Sequence, residues 1–208
     1  MSQYFEIHPQ NPQTRLIQQA VAIIRQGGVV VYPTDSGYAI GCQLGNKPAV
    51  ERICQIRDIS KTHNFTLMCR DLSELATYAR VDNNAFRLLK NNTPGAYTFI
   101  LLGTKEVPKR LLNPKRKTIG IRVSDDPITS ELLAELREPL MSTSLILDDS
   151  EFAESDPNDI RERLEKLVDL IIDGGHRGEK PTTVIDLADG NVVIARQGSG
   201  SVEPFAGL

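Results

Sequence analysis

Near the start of the chain an apolar repeat with helical spacing runs straight into a β-branched run. Leu16, Ile17, Ala20, Val21, Ile23 and Ile24 recur at helical intervals, Thr14 can cap the repeat, and Gly27-Gly28 ends it. Val29-Val30-Val31-Tyr32 follows at once and is stopped by Pro33. The alternation persists. Helices are expected near 15–26, 47–58, 71–79, 82–91, 127–137 and 157–167, and strands at 29–32, 65–69, 97–102, 118–123, 140–145, 170–172, 183–187 and 192–195. Near-continuous apolar strands interleaved with amphipathic helices point to an α/β layered domain around a mostly parallel or mixed sheet. With 208 residues, a single domain spanning 1–208 is expected. Folding at this size buries about 70% of the extended chain's surface, so the core needs no disulfide or metal staple. The least patterned stretch, 148–157, reads as a loop.

Several function classes are disfavoured. Cys42, Cys54 and Cys69 are odd in number and never at Cys-x-x-Cys spacing, which fits reduced thiols in a cytoplasmic protein. No run of 18 apolar residues is present, and the opening MSQYFEIHPQNPQ lacks a basic segment followed by an apolar one, so neither membrane insertion nor export is expected. A net charge of −3 excludes a uniformly basic nucleic-acid coat. It leaves a local basic face open: Lys105, Lys109, Arg110, Lys115, Arg116, Lys117 and Arg122 meet only Glu106 between 105 and 122. That run is either an RNA-phosphate surface, with Lys115, Arg116 and Lys117 at its centre, or a solvated loop. His8, His63 and His176 are too scattered to suggest a metal site, and neither a Walker loop nor a Gly-x-Ser-x-Gly elbow occurs. Gly198-Ser199-Gly200 reads as a flexible tail.

The remaining chemistry collects at expected strand ends. Thr34, Asp35 and Ser36 follow a buried strand, as hydroxyl ligands for a small polar substrate or as an Asx or hydroxyl turn. Arg57 and Lys61 close a helix, either projecting into a cleft to neutralise phosphate or complementing the helix C-terminus. Ser142-Thr143-Ser144 closes another strand with three hydroxyls in a row.

Together these segments resemble the YrdC-like family over roughly Gln13 to Gly200. The pieces, in order, are Val-Val-Tyr-Pro-Thr-Asp-Ser-Gly-Tyr at 30–38, Arg57 with Lys61 and Asn64, Thr93-Pro94-Gly95-Ala96-Tyr97-Thr98, Gly120-Ile121-Arg122-Val123, Ser142-Thr143-Ser144, Pro181-Thr182-Thr183-Val184-Ile185-Asp186 and Arg196-Gln197-Gly198. The resemblance implies a twisted mixed sheet of about seven strands, with helices packed around it and a concave basic cleft. It also implies threonylcarbamoyl-AMP synthase chemistry, in which threonine, bicarbonate and ATP, with Mg, yield an adenylate and pyrophosphate for a tRNA modification. No tightly bound cofactor is implied, and double-stranded or structured RNA, tRNA included, is an implied partner. By this resemblance Thr34 helps bind the amino acid, Arg57 and Lys61 the triphosphate, Ser142 and Ser144 the nucleotide phosphates, and Arg196 the far side of the cleft. Ser36, Asn64, Thr98 and Arg122 complete the substrate-binding set, with Arg57, Lys61 and Ser144 as the catalytic candidates.

Two departures alter the expectation. The synthases carry Lys-x-Arg followed by Pro and Asn-Pro-Leu, whereas here Arg57 and Lys61 stand four apart and lead into Asn64-Phe65-Thr66-Leu67. They also carry Ser-x-Asn where this chain has Ser144-Leu145-Ile146. Losing one preorganised donor costs roughly a hundred- to thousandfold in rate, so weak or altered synthase activity is expected. A fully competent synthase and a non-catalytic RNA-binding module are the alternatives.

Overall fold

The structure is a computed structural model and describes residues 1–147 and 150–207. In chain order it forms β1 (Gln3–Glu6), α1 (Thr14–Arg25), β2 (Val30–Pro33), β3 (Tyr38–Gln43), α2 (Lys47–Ile56), β4 (Thr66–Met68), α3 (Leu72–Tyr78) and α4 (Asn83–Asn92). Then follow β5 (Tyr97–Leu102), β6 (Thr118–Arg122), α5 (Pro127–Leu136), β7 (Leu140–Ser144), α6 (Pro157–Leu164), β8 (Leu170–Asp173), β9 (Thr183–Asp186) and β10 (Val193–Arg196). Five helix starts are set by side-chain caps, Asn46, Asp71, Asp82, Asp126 and Asp156 each accepting a backbone N–H of the first turn, whereas α1 starts after Gln13 with no side-chain cap and Thr14 is its first residue, not the cap expected.

All the strands join one mixed sheet in the order β1-β8-β2-β3-β7-β4-β6-β5-β9-β10. The expected α/β architecture stands, but the sheet has ten strands, not about seven. Two of the strands absent from the expected set are β1, which runs parallel to β8, and β3, which forms an antiparallel hairpin with β2 and pairs with β7. Gly41 sits in the middle of β3 and reads as a strand breaker, yet a Cβ there would lie 2.7 Å from Met141 O. Only glycine lets these two backbones approach so closely.

The two faces of the sheet are covered unequally, and this creates the site. On one face α2, α3, α4 and α6 pack through Ile53, Leu75, Leu89 and Ile160 onto residues from most of the strands, including Ile40, Phe99, Ile121 and Ile185. On the other, α1 and α5 bury Ile24, Ile128 and Leu132 against Val30, Tyr32, Met68, Leu140 and Ile172, residues of β2, β4, β7 and β8. Strands β5, β6 and β9 contribute nothing to that second cluster. Their residues facing that way are Thr98, Ile100 and Leu102 on β5, Thr118, Gly120 and Arg122 on β6, and Val184 and Asp186 on β9, by strand alternation.

The carboxyl-terminal segment is not the flexible tail expected. Thr183 Oγ1 donates to Gly200 O at 2.6 Å, Gly198 N donates to Thr183 Oγ1 at 2.9 Å, and Phe205 is buried against Tyr97 and Phe99. Of the loop expected at 148–157, residues 148 and 149 lie outside the described residues. Among the described residues no helix is long and apolar enough to cross a membrane.

Candidate functional site

The uncovered face of β6, β5 and β9, with Thr66 at the edge of β4, is the floor of a cavity of about 320 Å³. Cross-strand register explains its composition: Thr66 stands opposite Gly120 and Gly120 opposite Ile100, so one row crosses the floor. Gly120 keeps that row open, because a Cβ there would meet Thr66 Oγ1 at 2.9 Å and Thr98 Cγ2 at 3.2 Å. Thr98 and Thr182 join hydroxyls at 2.8 Å across β5 and the entry to β9. Arg196 lies over them, its Nε and Nη2 donating to Thr182 O at 3.1 and 2.9 Å. Burial lowers its pKa, so it is held charged at some desolvation cost.

The opposite wall is built by Arg57, the C-cap of α2. Its Nε donates to Ile146 O at 2.5 Å and its Nη1 to Ser144 O and, at 3.2 Å, to Thr143 Oγ1. One guanidinium therefore clasps the chain where it leaves β7. Asp58 then takes a left-handed conformation, φ 48°, and the turn Ser60–His63 closes through His63 N to Ser60 O at 2.9 Å. This brings His63 to the wall, with Nε2 3.2 Å from Thr143 Oγ1 and its ring edge-on to Phe65. Burial and the nearby Arg57 cation lower the His63 pKa below its ordinary value. Asn64 and Asn113 pair at 3.2 Å at the rim.

Of the residues singled out in the sequence, Arg57, Asn64, Thr98, Arg116, Ser144 and Arg196 line this cavity. Thr34, Ser36, Lys61, Arg122, Ser142, Lys115 and Lys117 do not. Lys61 instead extends into solvent and pairs with Glu51 at 3.0 Å, so it does not share a cleft with Arg57. Ser142 is buried under Tyr32, oxygen to oxygen at 2.6 Å, and desolvation pushes that phenol up to about 12. Thr34, Asp35 and Ser36 converge on Arg122 Nη2 in a buried network, leaving Arg122 Nε without a partner among the described residues. Arg122 is two residues along β6 from Gly120 and on the same face, so this network prolongs the floor beyond the cavity.

The basic run does not form one surface. Arg122 is inside, Arg116 is held by Asp186 at 2.6 Å and Asp189 at 2.8 Å, and Arg110 donates to Gly45 O. Ile146 lies beyond β7 and is half-buried against the cavity. Missing from the sequence-derived set were His63 as a wall residue, Thr143, Thr66, Thr118 and Thr182. For the threonines on strands the signal was available: in the β4 and β6 segments a hydroxyl stands two residues from another inward position.

The family model Sua5_yciO_yrdC, described as telomere recombination, matches residues 22–198. The chain belongs to this family. It is 67% identical to the uncharacterized protein YciO of Escherichia coli (strain K12) over 205 residues, 99% of this chain and 100% of that one. The crystal structure of E. coli YciO superposes with a TM-score of 0.96 over the same shares. A threonylcarbamoyl-AMP synthase of Stenotrophomonas maltophilia (strain K279a) is 31% identical over 186 residues, 85% of this chain and 96% of the relative. The crystal structure of P. abyssi Sua5 complexed with L-threonine shares the fold, with a TM-score of 0.86 at 23% identity, over 94% of this chain and 57% of that one. The matched span of this Sua5/YciO/YrdC family member includes the cavity from Arg57 to Arg196.

Proposed function

We propose that this protein binds ATP or AMP in the cavity and performs threonylcarbamoyl-AMP synthase chemistry weakly or in altered form. The observation that carries this reading is the lining: Arg57 and Arg196, a third guanidinium in Arg116 that Asp186 and Asp189 pair at the rim, six hydroxyl side chains and, among the described residues, no carboxylate in the lining itself. Such a surface attracts phosphate oxygens and offers donors to them without repelling their charge. Ile100, Ile146 and Val184 supply an apolar flank for a base or ribose. Magnesium would arrive as part of the nucleotide substrate, held by phosphate oxygens and water. Among the described residues no group of three or more His, Cys, Asp or Glu is disposed to hold a metal.

In the synthase reaction threonine and bicarbonate first condense to a carbamate with loss of water. A carbamate oxygen then attacks the α-phosphorus, a P–O bond forms, and the bond to the β-phosphate breaks to release pyrophosphate. Positioning and donors aimed at the developing charge are the protein's contribution. Ser144 supplies a hydroxyl at this wall. Ile146, where the synthases carry an amide, supplies none, and Arg57 spends three donor contacts on the protein itself. Pyrophosphate release with ATP, threonine and bicarbonate is the test. A slow rate that needs all three substrates supports the reading, and no release above ATP alone removes the catalytic part.

Structured RNA is a second reading, favoured by one observation: Lys115, Arg116 and Lys117 are exposed together on the loop at the cavity rim.

A further inference from the structure

The wall of the cavity contains a hydrogen-bond chain from Arg57 through Thr143 to His63. Arg57 Nη1 can only donate, so Thr143 Oγ1 accepts from it at 3.2 Å. Thr143 keeps its own hydroxyl proton to give, and His63 Nε2 lies 3.2 Å away. Thr143 Oγ1 has a second lone pair as well, so it donates to His63 when the imidazole proton sits on Nδ1 and accepts when Nε2 is protonated.

Starting from the Nδ1–H form, a proton added to Nε2 would reverse the second link. Thr143 Oγ1 would then accept from both Arg57 and His63, and its own proton would be free to turn toward the cavity. The charged groups that line the cavity with the imidazole are Arg57 from the end of α2, Arg196 from β10 and, from the rim loop, Arg116, which is paired with Asp186 and Asp189. Its ring packs on Phe65, and no Asp or Glu lines the cavity among the described residues. Empty, such a site resists a further positive charge. Filled by a dianion, it does not.

We propose that His63 is the titrating group of an anion site in this cavity: binding of an anionic group beside Arg57, Ser144 and Arg196 is accompanied by uptake of one proton at His63. The inference rests on the reading of the cavity as an anion site and adds a specificity device to it, since dianions gain more from the extra charge than monoanions do. Anion binding and protonation then strengthen each other reciprocally. One linked proton limits the effect to about tenfold in affinity per pH unit.

Inorganic sulfate is the probe, because its charge does not change across the range where histidine titrates. Its affinity for the wild-type protein is measured by calorimetry between about pH 5.5 and 7.5, in buffers of different ionisation enthalpy to count protons. Alongside, the Cε1 proton resonances of the three histidines are titrated with and without sulfate. Several-fold tighter binding at the acid end, proton uptake, and a His63 midpoint moved upward by sulfate are expected, with the pH dependence absent in His63→Gln. Sulfate binding with no proton uptake, or an unmoved His63 midpoint in the wild type, overturns the proposal and leaves the anion site standing. Proton-linked sulfate binding without AMP binding upholds the proposal and sinks the nucleotide reading. If neither anion binds, both fail.

Discussion

Arg57 and Lys61 look equivalent in the sequence, and the structure separates them into a buried clasp and a surface charge. Arg57→Ala removes the donors to Ile146 O, Ser144 O and Thr143 Oγ1. A net value of about 1 kcal/mol per bond, appropriate to a half-buried group whose acceptors regain water, gives a loss of about 2–4 kcal/mol. With a urea slope of about 2–3 kcal/mol/M, the unfolding midpoint falls by about 1 M. Lys61, 75% exposed at its side chain and paired with a surface glutamate, should leave the midpoint unmoved when changed to Ala. Urea unfolding followed by circular dichroism, with slopes compared to verify two-state behaviour, is the assay. Arg57→Lys should fall near the alanine variant, since one ammonium cannot span three acceptors. A midpoint for Arg57→Ala within about 0.2 M of wild type, or an equal loss for Lys61→Ala, would refute the clasp.

Ile146→Asn restores an amide on a half-buried wall position and should raise threonylcarbamoyl-AMP formation roughly a hundred- to thousandfold, read as pyrophosphate release; a folded variant no faster than wild type contradicts this. Gly41→Ala forces β3 and β7 apart at the 2.7 Å approach to Met141 O and should cost about 1–3 kcal/mol in urea unfolding, whereas a neutral effect would mean the hairpin relaxes freely. All three cysteines are buried, and desolvation pushes the Cys42 thiol up to about 12, so a disulfide-exchange reagent near neutral pH should titrate them only on unfolding; a fast-reacting native thiol would contradict that. If the rim loop binds duplex RNA, affinity should fall steeply between about 50 and 200 mM salt, and changing Lys115, Arg116 and Lys117 to Ala should flatten that slope by roughly one to three units. An unchanged slope would remove the loop from RNA binding.

Local periodicity carried most of the fold. The repeat from Leu16 to Ile24 and the run at Val29–Tyr32 each encode their element within a few residues, and both formed with boundaries shifted by about one residue. β3 was hidden because its glycine answers to a neighbour, Met141, a hundred residues on. The same non-locality explains the site. Arg122 counted as part of a basic run, but strand alternation turns it inward to Asp35, and Arg116 is neutralised by Asp186 and Asp189. The left-handed turn at Asp58 directs His63 to the wall, beside a Thr143 hydroxyl 80 residues away. No charge count along the chain contains those pairings.

Calorimetric titration of AMP into the wild-type protein and into Arg196→Ala tests nucleotide binding most directly, because Arg196 is a partly exposed cavity residue outside both hydrophobic clusters. Binding at a Kd of about 1 mM or tighter is predicted for the wild type, weakened about tenfold in the variant by loss of one charge-assisted contact. No heat from the wild type at about 10 mM AMP, or equal affinity in the two proteins, would contradict it.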